Sequence, residues 1–178
     1  MIIHSKSGSP RDGSSDAVRG GGDPHYLRQT CEGSLKNLGI ETLDVFCMSR
    51  VDPNVQIEES VGGMAKLVKE GKTRFISLSE CSAESLRRGR AVHPLASLQM
   101  EYSLFSRDAE EQGQIDACKE LGMAMMAYAV LGWKGSFSAR RAHWRAFRRK
   151  VRSLNPQRSL PLRGGKPVTV RRAECRQA

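Results

Sequence analysis

Polar and aromatic side chains stand at the ends of several short apolar runs in this sequence, and their types suit a small-molecule site. Lys6 closes the first run, Ser49 and Arg50 follow residues 43–48, and Ser79 and Glu80 follow residues 75–78. Gln99, Glu101 and Tyr102 lie in and after a run beginning at Ala96, and Tyr128 to Gly132 end another. A lysine at such an end supplies positive charge, Ser and Gln supply neutral donors and acceptors, and Tyr supplies a flat ring. Gln99 is the most telling, because it sits between Leu98 and Met100. A buried amide there needs hydrogen-bond partners, which a barrel interior or a ligand amide would supply.

The elements that must hold these residues read as an alternation of strands and helices. Residues 1–5 form a short strand, and residues 7–24, rich in Gly, Ser, Asp and Pro, form a loop. Asp23-Pro24 opens a helix, with Asp23 as N-cap, Pro24 at the first helical position and Gly39 as terminator. Its inward residues are Leu27, Cys31, Ser34, Leu35 and Leu38. Residues 43–48 form the second strand. Residues 57–70 form the second helix, with Val61, Met64, Ala65 and Val68 facing inward. Residues 75–79, 82–90, 96–102, 114–121 and 123–128 continue as strand, helix, strand, helix and strand. Strands alternating with helices predict a parallel sheet with helical crossovers. The fold class is therefore α/β. No G-x-G-x-x-G follows a strand and no G-x-x-x-x-G-K-[ST] occurs, so both common phosphate loops of open doubly wound sheets are missing. This favours part of a (β/α)8 TIM barrel, about five strands and four helices. In a barrel, function lies at the C-terminal strand ends, where the residues named above fall.

The chain has 178 residues and a net charge of +10, unevenly spread. Residues 1–132 hold 15 Lys+Arg against 18 Asp+Glu, whereas residues 133–178 hold 14 against one, so the tail alone carries +13. This divides the chain into a domain over 1–132 and an Arg-rich tail over 133–178. In the tail, Trp144, Phe147, Val151 and Leu154 allow one amphipathic basic helix, the remainder reading as irregular. Interleaved aromatics and arginines could meet RNA or an anionic surface. The alternative is an unselected extension. Five separated cysteines without a C-x-x-C pair read as reduced core thiols and imply a cytoplasmic or nuclear setting. No apolar run approaches the roughly 20 residues of a membrane-spanning helix. The histidines have no partners at metal-ligand spacing, and no metal is assigned.

A set of motifs in order makes residues 1–132 resemble the aldo-keto reductases, NADPH-dependent (β/α)8 enzymes, and most nearly their fungal pyridoxal reductase branch. These are Ser5-Lys6-Ser7-Gly8, Asp44-Val45-Phe46, Arg50-Val51-Asp52-Pro53-Asn54-Val55 and Ile57-Glu58-Glu59. They continue with Leu67-Val68-Lys69-Glu70-Gly71-Lys72, Leu78-Ser79-Glu80, Ala91-Val92-His93-Pro94, residues 101–108 from Glu101 to Asp108, and Ala127-Tyr128. The resemblance spans the third to seventh strands of the family's barrel.

The resemblance implies carbonyl reduction with a hydride from NADPH, assisted by an Asp-Tyr-Lys-His set in which Tyr is the general acid and Lys lowers its pKa. Lys6 matches that Lys, and Ser49 occupies the His position. The Tyr and Asp belong to an earlier segment without a match here. Ser79 and Glu80 match the nicotinamide carboxamide contacts (Ser-Asn in many members, so Glu80 departs), and Gln99 matches the amide that binds the same group. Tyr128 matches the ring that stacks on the nicotinamide, and Leu131 and Gly132 match the start of the pyrophosphate loop. The implied partner is a small-molecule carbonyl substrate, pyridoxal-like by branch. The pattern breaks at Leu131-Gly132-Trp133, as an altered reading frame or mis-joined gene model would break it. The expected function is a truncated, weak or inactive NADPH-dependent reductase. The alternative is a non-enzymatic half-barrel scaffold whose basic tail binds RNA or an anionic surface.

Overall fold

The computed structural model describes residues 1–7 and 21–132. The tail features, including the amphipathic pattern from Trp144, lie outside the described residues. Five strands form one parallel sheet in chain order: β1 (His4–Ser7), β2 (Leu43–Met48), β3 (Thr73–Ser79), β4 (Ser97–Glu101) and β5 (Ala124–Tyr128). The crossovers carry α1 (Pro24–Leu38), α2 (Ile57–Lys69), α3 (Ala83–Val92), and the pair α4 (Asp108–Glu111) and α5 (Gln114–Glu120). The expected strand–helix alternation is therefore present, with one short helix more than expected. Tight sequential order with parallel pairing is what successive βα units give when each helix returns the chain to the same edge.

The helix boundaries follow local chemistry. The Asp23 carboxylate accepts from the Tyr26 N–H at 2.8 Å, and Pro24 needs no donor at the first turn. Gly39 ends α1 in the left-handed region at φ 65°. Ser82 caps α3 by accepting from the Ser85 N–H at 3.0 Å. The first strand begins later than expected, at His4 rather than Met1, so Lys6 lies inside it. Pairing starts where His4 meets Val45, and the Ile3 N–H is taken instead by the Asp44 carboxylate at 2.9 Å.

One sheet face packs against the helices. Phe46, Met48, Ile76, Leu78, Leu98 and Met100 meet Leu27 and Cys31 of α1, Val61, Met64 and Leu67 of α2, and Leu86 of α3 in one buried core. The helix stripes differ in detail from the periodicity reading. Leu67, not expected on the inward face, is fully buried, Val68 packs partly buried against the core as expected, Ala65 is intermediate, and Leu38 is 52% exposed. α1 and α2 approach closely near the start of α1, where Gly63 faces Pro24.

Candidate functional site

The other face of the sheet carries the polar residues, because side chains alternate along each strand. Register sets them in rows. His4, Val45 and Phe75 form the lowest row, and Lys6, Cys47, Ser77, Ser97 and Ala124 the next. Ser79, Gln99 and Met126 lie above, and Glu101 pairs with Tyr128 at the C-terminal rim. The row of Ser79 and Gln99 lies two residues further along β3 and β4 than the row of Lys6, within reach of a long side chain on β1.

Lys6 makes that reach. Its Nζ donates to Ser79 Oγ at 3.0 Å and to Gln99 Oε1 at 2.6 Å. Three residues separated by up to 93 positions thus form one hydrogen-bonded group. Burial lowers the Lys6 ammonium below its usual range. The Arg50 guanidinium pushes the same way, whereas the Cys47 thiol and Glu80 carboxylate oppose it. The ammonium is thus bound by neutral acceptors, and among the described residues Lys6 forms no salt bridge.

Gln99 resolves the question its sequence position raised. Its Oε1 accepts from Lys6, while its Nε2 faces only a weak acceptor, Met126 Sδ, at 3.5 Å. Ser79, 1% exposed, lies beside it in register. A hydroxyl and an amide N–H held side by side on a fixed sheet match the donor and acceptor groups of a primary carboxamide. The residues present therefore fit the nicotinamide end of a dinucleotide.

Glu80 leaves β3 in the left-handed region at φ 51°, which costs a non-glycine residue roughly 1–2 kcal/mol. Its Oε1 accepts the Glu101 N–H at 2.7 Å. Burial raises the Tyr128 hydroxyl above the usual phenol range, hydrogen bonding to Glu80 raises it further, and Arg50 opposes both. Tyr128 is therefore a neutral phenol at physiological pH. The other described non-glycine residue with positive φ is Ala129, also at φ 51°, directly after β5. Strained backbone at the ends of β3 and β5, the two strands that flank β4, is a common mark of a functional rim.

The remaining candidates sit apart from this group. Ser49 follows β2 and is 7% exposed; its N–H donates to the Ser7 carbonyl at 3.0 Å and its own carbonyl accepts from Arg50 at 2.9 Å. Leu131 is 74% exposed, and Gly132, at φ 83°, closes a turn by donating to the Ala129 carbonyl at 2.6 Å. Arg50, one of the strand-end residues of the sequence, adjoins this group, and so do Cys47, Ser77 and His4, which the strand-end pattern does not mark. His4 Nε2 lies 3.3 Å from Ser77 Oγ, and burial, then Lys6, lowers its pKa. The missed signal was period-two polarity: His4 and Lys6, then Ser77 and Ser79, mark the same face of their strands.

A parallel βα sheet in strict chain order, bearing its polar groups at the C-terminal strand ends, defines part of a (β/α)8 barrel, a class of fold that builds its sites on this rim. The chain belongs to the aldo/keto reductase family, whose model matches residues 1–175, past the point at Gly132 where the recognisable motifs stop. An aldo-keto reductase of Strobilurus tenacellus is 49% identical over 113 residues, covering 62% of this chain and 34% of that protein. The structure of a glycerol dehydrogenase from Gluconobacter oxydans aligns with TM-score 0.58 and 30% identity, covering 61% of this chain and 33% of that one. An aldo/keto reductase from Klebsiella pneumoniae, solved in complex with NADP and acetate, aligns with TM-score 0.60 and 23% identity, a likeness of fold. That alignment covers 86% of this chain and 50% of the Klebsiella chain. The chain thus spans about a third of the length of the first two relatives and half of the third.

Proposed function

We propose that this chain supplies the nicotinamide-binding side of an NADPH-dependent reductase site for a small aldehyde or ketone, pyridoxal-like in class. The observation that carries the reading is Lys6 Nζ bridging Ser79 and Gln99. It gathers the residues matched to the family's catalytic lysine and carboxamide contacts into one group. When bound, the cofactor would supply the hydride. Ser79 and Gln99 would orient its carboxamide, Tyr128 would present a ring to the nicotinamide face, and Leu131 and Gly132 would begin the pyrophosphate contact. Lys6 would hold positive charge beside the carbonyl oxygen, favouring charge that develops there during reduction. Ser49, in the family's His position, has its backbone fixed by Ser7 and Arg50 and is assigned a spacing role. This stretch is thus proposed to hold the cofactor end of the site.

Titration of the full chain with NADPH, followed by nucleotide fluorescence, tests the reading. Saturable binding that weakens by about tenfold or more, ~1.4 kcal/mol, in both Gln99→Ala and Tyr128→Ala is the expected result. Failure of the unmodified chain to bind while retaining its far-UV circular dichroism spectrum would overturn it.

A further inference from the structure

Lys6 decides which atoms of Ser79 and Gln99 are left to meet a ligand. An ammonium has donors and no acceptor, so only the oxygen of the Gln99 amide can face it. That oxygen lies 2.6 Å from Lys6 Nζ, and the Gln99 NH2 group is thereby turned away, toward Met126 Sδ at 3.5 Å. Sulfur is a weak acceptor, which a ligand oxygen replaces at little cost. Ser79 is constrained in the same way. Its Oγ accepts from Lys6 at 3.0 Å, which uses a lone pair and leaves its proton for another group. Ser79 and Gln99 are register partners on adjacent strands, so the two donors stand side by side. Glu80, next along the chain, adds no donor, because its carboxylate accepts the Glu101 N–H at 2.7 Å.

We infer that Lys6 is a specificity-determining residue for the nicotinamide: by holding the oxygen of Gln99 toward itself, it makes Ser79 and Gln99 a pair of donors that selects the ring substituent through its acceptor oxygen. This deepens the proposed nicotinamide site and rests on that reading. A carboxamide oxygen would accept from the Ser79 O–H and the Gln99 N–H. The carboxamide NH2 gains no acceptor from Gln99, whose oxygen is held by Lys6. The site therefore reads the carbonyl and is indifferent to the NH2 group beside it. Two of the three ammonium N–H bonds of Lys6 are committed to Gln99 and Ser79, and the third is left for a substrate oxygen.

The test compares NADP with its 3-acetylpyridine analogue, which keeps the carbonyl oxygen and loses the NH2 group, each competing against NADPH fluorescence on the full chain. The unmodified chain should bind the two within about threefold of each other. In Lys6→Met, Gln99 is free to offer its oxygen to the carboxamide NH2, so the ratio should move by roughly tenfold in favour of NADP. A ratio is unaffected by a general loosening of the site. Gln99→Glu keeps an oxygen for Lys6 but has no N–H, so both ligands should weaken alike, by about tenfold. An analogue bound tenfold or more weakly than NADP by the unmodified chain overturns the inference. So does an unchanged ratio in Lys6→Met that retains its far-UV circular dichroism, or full affinity in Gln99→Glu. Should Lys6→Met fail to fold, the unmodified chain and Gln99→Glu decide. If the unmodified chain binds neither NADP nor NADPH, the proposed function fails and the inference falls with it, whereas binding with the wrong preference removes the inference alone.

Discussion

Adjacent glycines in the middle of α2 should respond oppositely to the same substitution. A Cβ added at Gly62 meets nothing within 4 Å, whereas one at Gly63 lies 2.7 Å from Pro24 Cβ and 3.1 Å from Pro24 Cα. Both sites are helical, so Ala gains about 0.8–1.0 kcal/mol over Gly in propensity at each. Part of this gain acts through the unfolded chain and cancels between the two variants. At Gly63 the gain is opposed by overpacking, about 1–3 kcal/mol, because the obstacle is a rigid ring at the start of α1 rather than a flexible side-chain tip. Gly62→Ala should therefore stabilise by nearly 1 kcal/mol, and Gly63→Ala should range from neutral to about 2 kcal/mol destabilising. Urea unfolding followed by circular dichroism measures both, and at roughly 4 °C per kcal/mol the difference is also visible in Tm. Equal stabilisation by both substitutions would refute the seating of α1 on α2 through Pro24. It would also question the anchor just before Pro24, where Gly22 donates to the Asp52 carboxylate at 3.3 Å and accepts from Ser60 Oγ at 2.7 Å.

Two further outcomes follow from groups away from the site. Burial pushes the Cys81 thiol up to about 12 and Cys31 to about 11, so both should resist a thiolate-directed reagent in the folded chain and react promptly in denaturant; rapid native-state labelling, mapped by mass spectrometry, would contradict their burial. Hydrogen bonds from Arg28, then from Lys72, hold Glu70 at about 2, below its ordinary 4.5. Folding thus favours its ionised form, and the contribution is complete above the ordinary value and drains as pH falls toward about 2. Glu70→Gln should lower Tm slightly at near-neutral pH, less so in high salt, and have no effect at the acid end of that window, as thermal melts would show.

The sequence by itself determined the strand–helix alternation, the caps of α1 and α3, and the strand-end placement of the candidate site residues. The reasons are local. Asp23-Pro24 and Gly39 satisfy or end helical hydrogen bonding within a few residues, and Leu98-Gln99-Met100 places an amide where it must find a partner. The family resemblance added roles for Lys6, Ser79, Gln99 and Tyr128 one by one, but left them as separate positions. Only the tertiary structure joined them. The register of the parallel sheet brings Lys6 on β1 within reach of Ser79 on β3 and Gln99 on β4, a relation that has no trace in local spacing. The same holds for Glu80. Its residue type suggests a ligand contact, whereas its left-handed backbone and the nearness of the β4 end turn its carboxylate onto the Glu101 N–H. Helix faces fell between these cases: periodicity named Val61 and Met64 correctly, but the burial of Leu67 and the exposure of Leu38 depend on where α1 crosses α2. The close approach of Gly63 to Pro24 is part of that packing, a contact between residues that no single helix can specify.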